Sequence, residues 1–292
     1  MAFYSLDQLC DHLRGMGLAQ GDAVLVRAAA KLIGEVDGRS PKVLLDALQR
    51  VVGPEGTIFG LTFTKSFLFP RRHKEYIYDG GNPPITGGFA RAVLGAEGAV
   101  RSLRPTNSWT GVGADAVAIL EDHDERATCF APLEKMMGLN GKMMLVGCLT
   151  SSPGFSTVHL AQAHLGLNRK SLMGPISGVH FQRDGETKVF TKWDTAGCSR
   201  GFGKFYSDYL MADKLIVGKV GDATSLAIGV ADAYAIERRI LEKNPRYPLC
   251  AEKDCLYCRG SLRYNLRDIP GYFLRQAAIK LVRRAVPSRI ES

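Results

Sequence analysis

The sequence predicts an α/β fold in which helices pack on a mostly parallel sheet. Two patterns lead there. Short apolar runs rich in β-branched and aromatic residues alternate with stretches whose apolar residues recur at helical spacing. The chain has 292 residues, 46% of them hydrophobic and 23% charged, without an internal repeat. That length and balance suit one large domain with a core of its own, and exclude a disordered chain or a disulfide scaffold.

The elements follow in order. Ser5 heads a first helix with Leu6, Leu9 and Leu13 on one face, and Gly15 and Gly17 stop it. Gly21 and Asp22 turn the chain into a strand from Ala23 to Val26. Pro41 opens a second helix, where a missing N–H costs nothing; Leu44, Ala47, Leu48 and Val51 share its buried face, and Gly53 ends it. Thr57 to Thr64 reads as a strand. Lys65 to Gly88 has no period and holds Pro70, Gly80, Gly81, Pro83 and Pro84, so it reads as a long irregular loop of the kind that serves a site. Met143 to Gly147 is a buried strand and Thr157 to Leu167 has helical spacing. Val179 to Phe190 is a hairpin about Asp184-Gly185, a pair that supplies the positive φ angles of a tight turn. Lys204 to Met211 and Ser225 to Leu241 read as helices. After Pro245 the composition shifts towards Cys and Arg.

Lys and Arg outnumber Asp and Glu by 38 to 29, a net +9. Between residues 259 and 292 eight basic residues face two acidic ones, so +6 of that excess sits in the tail. A uniformly basic surface is absent, and no nucleic-acid partner is expected. No run reaches the roughly 18 apolar residues of a membrane span, and the first residues lack a signal-peptide pattern, so the cytoplasm is the expected compartment. From Gly271 to Ala285 apolar Tyr272, Phe273, Leu274, Ile279 and Leu281 interleave with Arg275, Lys280, Arg283 and Arg284. This pattern fits a basic amphipathic helix, either peripheral to the inner face of an anionic membrane or docked on the domain or on a second copy in a homodimer.

Four of the seven cysteines, Cys10, Cys129, Cys148 and Cys198, are scattered among core-like residues. The others form Cys250-x4-Cys255-x2-Cys258, whose last pair is spaced to share one tetrahedral ion. One reading is a structural zinc, its fourth ligand being Cys198 or a histidine brought over by the fold. The other is three unmetallated thiols in a surface loop.

Metal-hydrolase, phosphate-loop and dinucleotide signatures are absent. Five stretches stand out instead: Gly21 to Val26 with Leu32-Ile33-Gly34; Val51 to Ile58 with Thr62-Phe63-Thr64; Arg101-Ser102-Leu103-Arg104-Pro105-Thr106-Asn107-Ser108 with Gly113 and Asp115; Leu145-Val146-Gly147; and Ser156 to Gln162. In this order they resemble the aminoglycoside 3-N-acetyltransferase family, the antibiotic N-acetyltransferases, from about Gly21 to Gly166 and weakly through Cys198 to Phe202. The resemblance implies an antibiotic N-acetyltransferase-like sheet with helices on both faces over residues 1–245, followed by a Cys-rich basic extension over 246–292. It implies transfer of acetyl from acetyl-coenzyme A, the cosubstrate, to an amine, often on an aminosugar.

An amine protonated at neutral pH is not a nucleophile, so such a reaction needs a base. By resemblance His159 is that catalytic base. Gln162 stands where the family has a Glu partner, and can orient the ring without offsetting its charge. Arg101, Ser102, Ser108 and Arg27 are the implied contacts of coenzyme A. Arg27-Ala28-Ala29-Ala30 replaces the family's His-Ser-Ser-Leu, and Arg104 replaces the His of its His-Pro signature. Arg cannot be a base at neutral pH, but it binds phosphate or carboxylate in a bidentate way. Arg27 and Arg104 therefore point to an anionic acceptor, such as a nucleotide-linked aminosugar of polysaccharide or glycoconjugate biosynthesis. The same departures fit an inactive member that binds coenzyme A, a sugar nucleotide or a partner protein. Trp193 to Phe205 either walls the acceptor pocket or is a packed turn. His73, in the long loop, is a further candidate, and His164 is read as structural.

Overall fold

Ser5 accepts from the Gln8 N–H while Gln8 Oε1 accepts from the Ser5 N–H, a capping box that follows β1 (Phe3–Tyr4) and starts α1 (Leu6–Gly15). Next come β2 (Ala23–Ala28), β3 (Glu35–Val36), α2 (Ser40–Val52) with Pro41 in its first turn, and β4 (Thr57–Leu61). The long loop holds β5 (Phe67–Leu68) and β6 (Ile77–Tyr78) and leads into α3 (Gly88–Leu94). Beyond it lie β7 (Val100–Arg101), β8 (Trp109–Gly113), α4 (Ala116–Leu120), α5 (Pro132–Gly138), β9 (Lys142–Val146) and α6 (Thr157–His164). The chain continues through β10 (Ser177–Arg183), β11 (Glu186–Thr191), α7 (Phe205–Met211), β12 (Ile216–Val220), β13 (Ala223–Gly229) and α8 (Val230–Lys243). This computed structural model describes residues 2–168, 174–194, 197–252, 255, 257, 258, 270, 271, 273–275, 277 and 278.

The main sheet has seven strands in the order β12-β13-β9-β2-β4-β8-β7. Only β9, β2 and β4 run parallel; the pairs β12–β13, β13–β9, β4–β8 and β8–β7 are antiparallel. The sheet is therefore mixed, and the expectation of a mostly parallel one holds only at its centre. Parallel pairing needs a long crossover, which helices supply around β2, whereas β12 and β13 are joined by a tight turn at Gly221 with φ +60°. Ser225 to Gly229, expected to be helical, pairs with β9; Leu226 and Ile228 alternate with Ala227 across the sheet, and the helix begins only at Val230.

Alternation along the central strands puts helices on both faces. Val24, Val26, Met144 and Val146 pack with α1, α2 and α3 in one buried cluster. Leu25, Phe59, Met143 and Leu145 pack with α5, α6, α7 and α8 in the other. Each fully buried Leu, Val or Phe here contributes roughly 1.5–3 kcal/mol relative to exposure.

A second sheet is built on the expected hairpin. β10 and β11 pair across Asp184 (φ 54°) and Gly185 (φ 79°), and β5 and β6 from the long loop join β10. Tyr78, Val179, Phe181 and Phe190 form its small core. After α8 the chain returns over α7: Tyr247 donates from its hydroxyl to Asp208 Oδ2 at 2.7 Å, and Lys204 Nζ donates to the Leu249 carbonyl at 2.8 Å. Most of the stretch read as a basic amphipathic helix lies outside the described residues. Among the described residues no helix is long and apolar enough to cross a membrane.

Candidate active site

β2, β4 and β9 end side by side, and past their C-terminal ends opens a cavity of about 570 Å³, where sites form in sheets with parallel strands. Val26, Arg27 and Ala28 supply one wall and Leu61 and Phe63 continue it. Ile85, Thr86 and Gly87 of the long loop, with Phe89 and Ala90 of α3, close another side, so the loop does serve this cavity.

α6 brings His159 to the opposite wall. Val158, Leu160 and Ala161 bury the helix in the core. His159 and Gln162, three residues apart, share one side of it. His159 Nδ1 lies 3.1 Å from Gln162 Oε1. An amide oxygen can only accept, so this contact puts the proton on Nδ1 and leaves a lone pair on Nε2. Phe130 stacks on the ring, centroids 5.2 Å apart, and Phe202 meets it edge-on at 4.7 Å. This enclosure pushes the imidazole pKa down to about 4; the Gln162 bond opposes the fall and the Arg27 charge adds to it. The ring is neutral at neutral pH.

Arg27 donates from Nη1 to the Gly154 carbonyl at 2.7 Å and from Nη2 to the Ser152 carbonyl at 2.6 Å, and also meets the Ser152 hydroxyl. Burial lowers its pKa, yet a guanidinium keeps its proton at neutral pH. Its partners are carbonyls and a hydroxyl. No Asp or Glu among the described residues lines the cavity.

The structure separates the other expected site residues from the cavity. Arg104 is fully buried and paired with Asp194; it also meets the Ala127 carbonyl and lies over Phe190 and Trp193. Its charge is paired there, and it is not among the residues that line the cavity. Arg101 donates to the carbonyls of Gly80, Asn82 and Thr62 and to Ser108 Oγ, and so braces the long loop. Ser102 Oγ accepts from the Trp109 N–H and bonds His123 Nδ1, and Ser108 Oγ donates to the Thr62 carbonyl. Both are buried and used in holding the β7–β8 connection. His73 stacks on Phe67 at 4.4 Å beside Glu75, away from the cavity. His164 bridges Tyr234 and Glu134, a structural role as expected.

Gly197, Ser199 and Phe202 do wall the cavity, as one of the two readings of that segment had it. Phe130 and Cys148 at the wall belong to none of the five stretches. A second cavity of about 960 Å³ adjoins the other side of α3 and the start of α2, with Lys31, Arg39, Lys42 and Arg91 in its lining. The cations of Arg39-Ser40-Pro41-Lys42 at a helix start were the available signal for it, since anions favour that end of a helix.

The family model of aminoglycoside 3-N-acetyltransferase matches residues 25–242. Aminoglycoside N(3)-acetyltransferase III of Serratia marcescens is 28% identical over 175 residues, which cover 54% of this chain and 64% of that protein. The chain thus spans just under two thirds of this relative. The protein of the same description from Acinetobacter baumannii is 26% identical over 258 residues, covering 78% of this chain and 85% of the relative. The solved structure of AAC-IIIb in binary complex with CoASH superposes with a TM-score of 0.72 at 22% identity, covering 86% of this chain and 100% of that one. With a match across three quarters of its length, on a mixed sheet that carries the His159 helix at the strand ends, the chain belongs to the aminoglycoside 3-N-acetyltransferase family of N-acetyltransferases.

Proposed function

We propose that the protein transfers acetyl from acetyl-coenzyme A to the amine of an anionic aminosugar, a nucleotide-linked or glycoconjugate intermediate rather than a polycationic antibiotic. One observation carries this reading: the cavity wall combines His159 with the cation Arg27 and holds no carboxylate among the described residues. A polycation would meet an uncompensated positive charge and nothing to pair with. An acceptor bearing phosphate or carboxylate would gain a charge-assisted bond to Arg27.

Acetyl-coenzyme A supplies the acetyl group as an activated thioester. Lys31, Arg39 and Arg91 would hold its phosphates in the groove beside α3, where Lys42 is already paired with Asp46, and the opposite side of α3 faces the His159 cavity. His159, neutral with its lone pair on Nε2, takes the proton from the acceptor nitrogen as the N–C bond forms and the C–S bond breaks, and that proton leaves with the sulfur. Gln162 holds the ring in this tautomer. Phe130 and Phe202 exclude water from it.

The test is a thiol-release screen over aminoglycosides, neutral aminosugars and nucleotide-linked aminosugars, repeated with Arg27→Ala. Turnover of the anionic class is expected, with KM for that acceptor rising about tenfold in Arg27→Ala, the usual worth of one charge-assisted bond. Best turnover of aminoglycosides, unaffected by Arg27→Ala, would refute the anionic acceptor. Silence across all three classes would refute the transferase reading and leave a binding protein.

A further inference from the structure

The Sγ atoms of Cys198, Cys250, Cys255 and Cys258 all lie within 4.8 Å of one another. Cys250, Cys255 and Cys258 are buried, Cys198 is half-buried, and the Sγ atoms of Cys250 and Cys258 are 3.5 Å apart. No disulfide joins the described cysteines. We propose that these four thiolates bind one zinc ion, with Cys198 as the fourth ligand, and that the ion fastens the wall of the acetyl-transfer cavity to the C-terminal segment. A tetrahedron with Zn–S bonds of about 2.3 Å has sulfur–sulfur edges of about 3.8 Å, so closing these four sulfurs on an ion needs only small side-chain shifts. The Arg200 N–H points at Cys198 Sγ at 3.4 Å, a bond that stabilises a thiolate ligand.

Cys198 gives the ion its leverage, because it sits between Gly197 and Ser199, both on the cavity wall, and four residues before Phe202, which packs on His159. On the far side the backbone of Gly201 is pressed against the carbonyls of Pro248 and Leu249, with no room for a Cβ. Lys204 Nζ donates to the Tyr247 and Leu249 carbonyls, and Arg200 pairs with Glu252. One ion would lock both sides of this contact. The metal site stands on the cysteines alone; its coupling to the cavity rests on the functional reading above.

The full chain, purified without chelator or metal-affinity resin, should carry about one zinc by elemental analysis. Cobalt(II) exchanged into it should show the intense visible and near-ultraviolet bands of a tetrahedral tetrathiolate. Cys198→Ser should weaken cobalt binding and remove part of the sulfur-to-cobalt band while the other three thiols remain. Trypsin should cut at Arg200 or Lys204 about tenfold faster once a chelator has stripped the wild-type protein, and zinc alone should restore protection. Metal-free protein whose four thiols titrate at once, or a disulfide within the cluster, would overturn the site. Bound zinc whose removal leaves cleavage unchanged would overturn its role at the wall. None of these readouts needs an acceptor, so their failure is distinct from failure of the transferase reading.

Discussion

His159 owes its state to three neighbours that no local pattern announces: Phe130 on its face, Phe202 at its edge and the Arg27 charge nearby. A pKa near 4 keeps the imidazole unprotonated, at the cost of basicity. Gln162→Glu would place a carboxylate about 3.1 Å from Nδ1, where the amide oxygen now stands. Once the acceptor amine's own ionisation is divided out of kcat/KM, the remaining acid limb, expected near pH 4 in the wild type, should move up by one unit or more, and an unmoved limb would mean that His159 is not the titrating group. His159→Ala should cut kcat by roughly 10² to 10⁴ with little change in coenzyme A affinity. A variant that turns over at the wild-type rate would remove His159 from the chemistry. The histidine and its partner were singled out only through the resemblance of Ser156 to Gln162 to a family motif, not by their spacing alone. The aromatic enclosure was not legible, since Phe130 and Phe202 come from distant segments.

α6 is seated on a buried carboxyl that the functional reading does not use. Thr157, its first residue, donates to Glu237 Oε1 of α8 at 2.8 Å; Tyr209 of α7 donates to the same oxygen, and Oε2 has no partner among the described residues. Full burial pushes the Glu237 pKa up to about 8, against the two hydrogen bonds that lower it. The folded protein therefore holds a proton that the unfolded chain releases above its ordinary pKa near 4.5. Stability should fall as pH rises from 4.5 to 8, by up to about 5 kcal/mol at roughly 1.36 kcal/mol per unit, and then level off. Glu237→Gln, which keeps the shape without the charge, should flatten that dependence and unfold later than wild type at pH 9. Urea unfolding at pH 6 and pH 9 checks this, and equal pH slopes in the two proteins would contradict it. At the same scale, Ser225 to Leu241 shows why an apolar run was misread: Ser-Leu-Ala-Ile suits helix and strand alike, and pairing with β9 decides.

The whole molecule joins a seven-stranded mixed sheet to a small one in which β10 pairs antiparallel with β11 and β5 and parallel with β6, and legibility differed between them. Short continuous apolar runs, Ala23 to Val26 and Met143 to Gly147, revealed the central strands, and Asp184-Gly185 revealed the hairpin. Nothing local showed that β5 and β6 would join that hairpin, or that Arg104 would reach Asp194 ninety positions away. Arg101 and Arg104 sit in one short stretch with site-like neighbours, and both hold distant segments together. Arg104 connects the β7–β8 loop to the end of the small sheet, where Asp194 also accepts from the Cys129 N–H. Arg104→Ala would leave a buried carboxylate without its counter-ion and should cost about 3–5 kcal/mol. Arg104→Lys should recover only part of that, because an ammonium cannot reach Asp194 and the Ala127 carbonyl with the planar fork that guanidinium provides. Since Arg104 lines neither of the two cavities proposed to take acceptor and coenzyme A, the Lys variant should keep wild-type KM values for acetyl-coenzyme A and acceptor at a temperature where it is folded. Unfolding curves and steady-state kinetics on the same preparation separate the two roles: full stability combined with a raised acceptor KM would put Arg104 back at the acceptor.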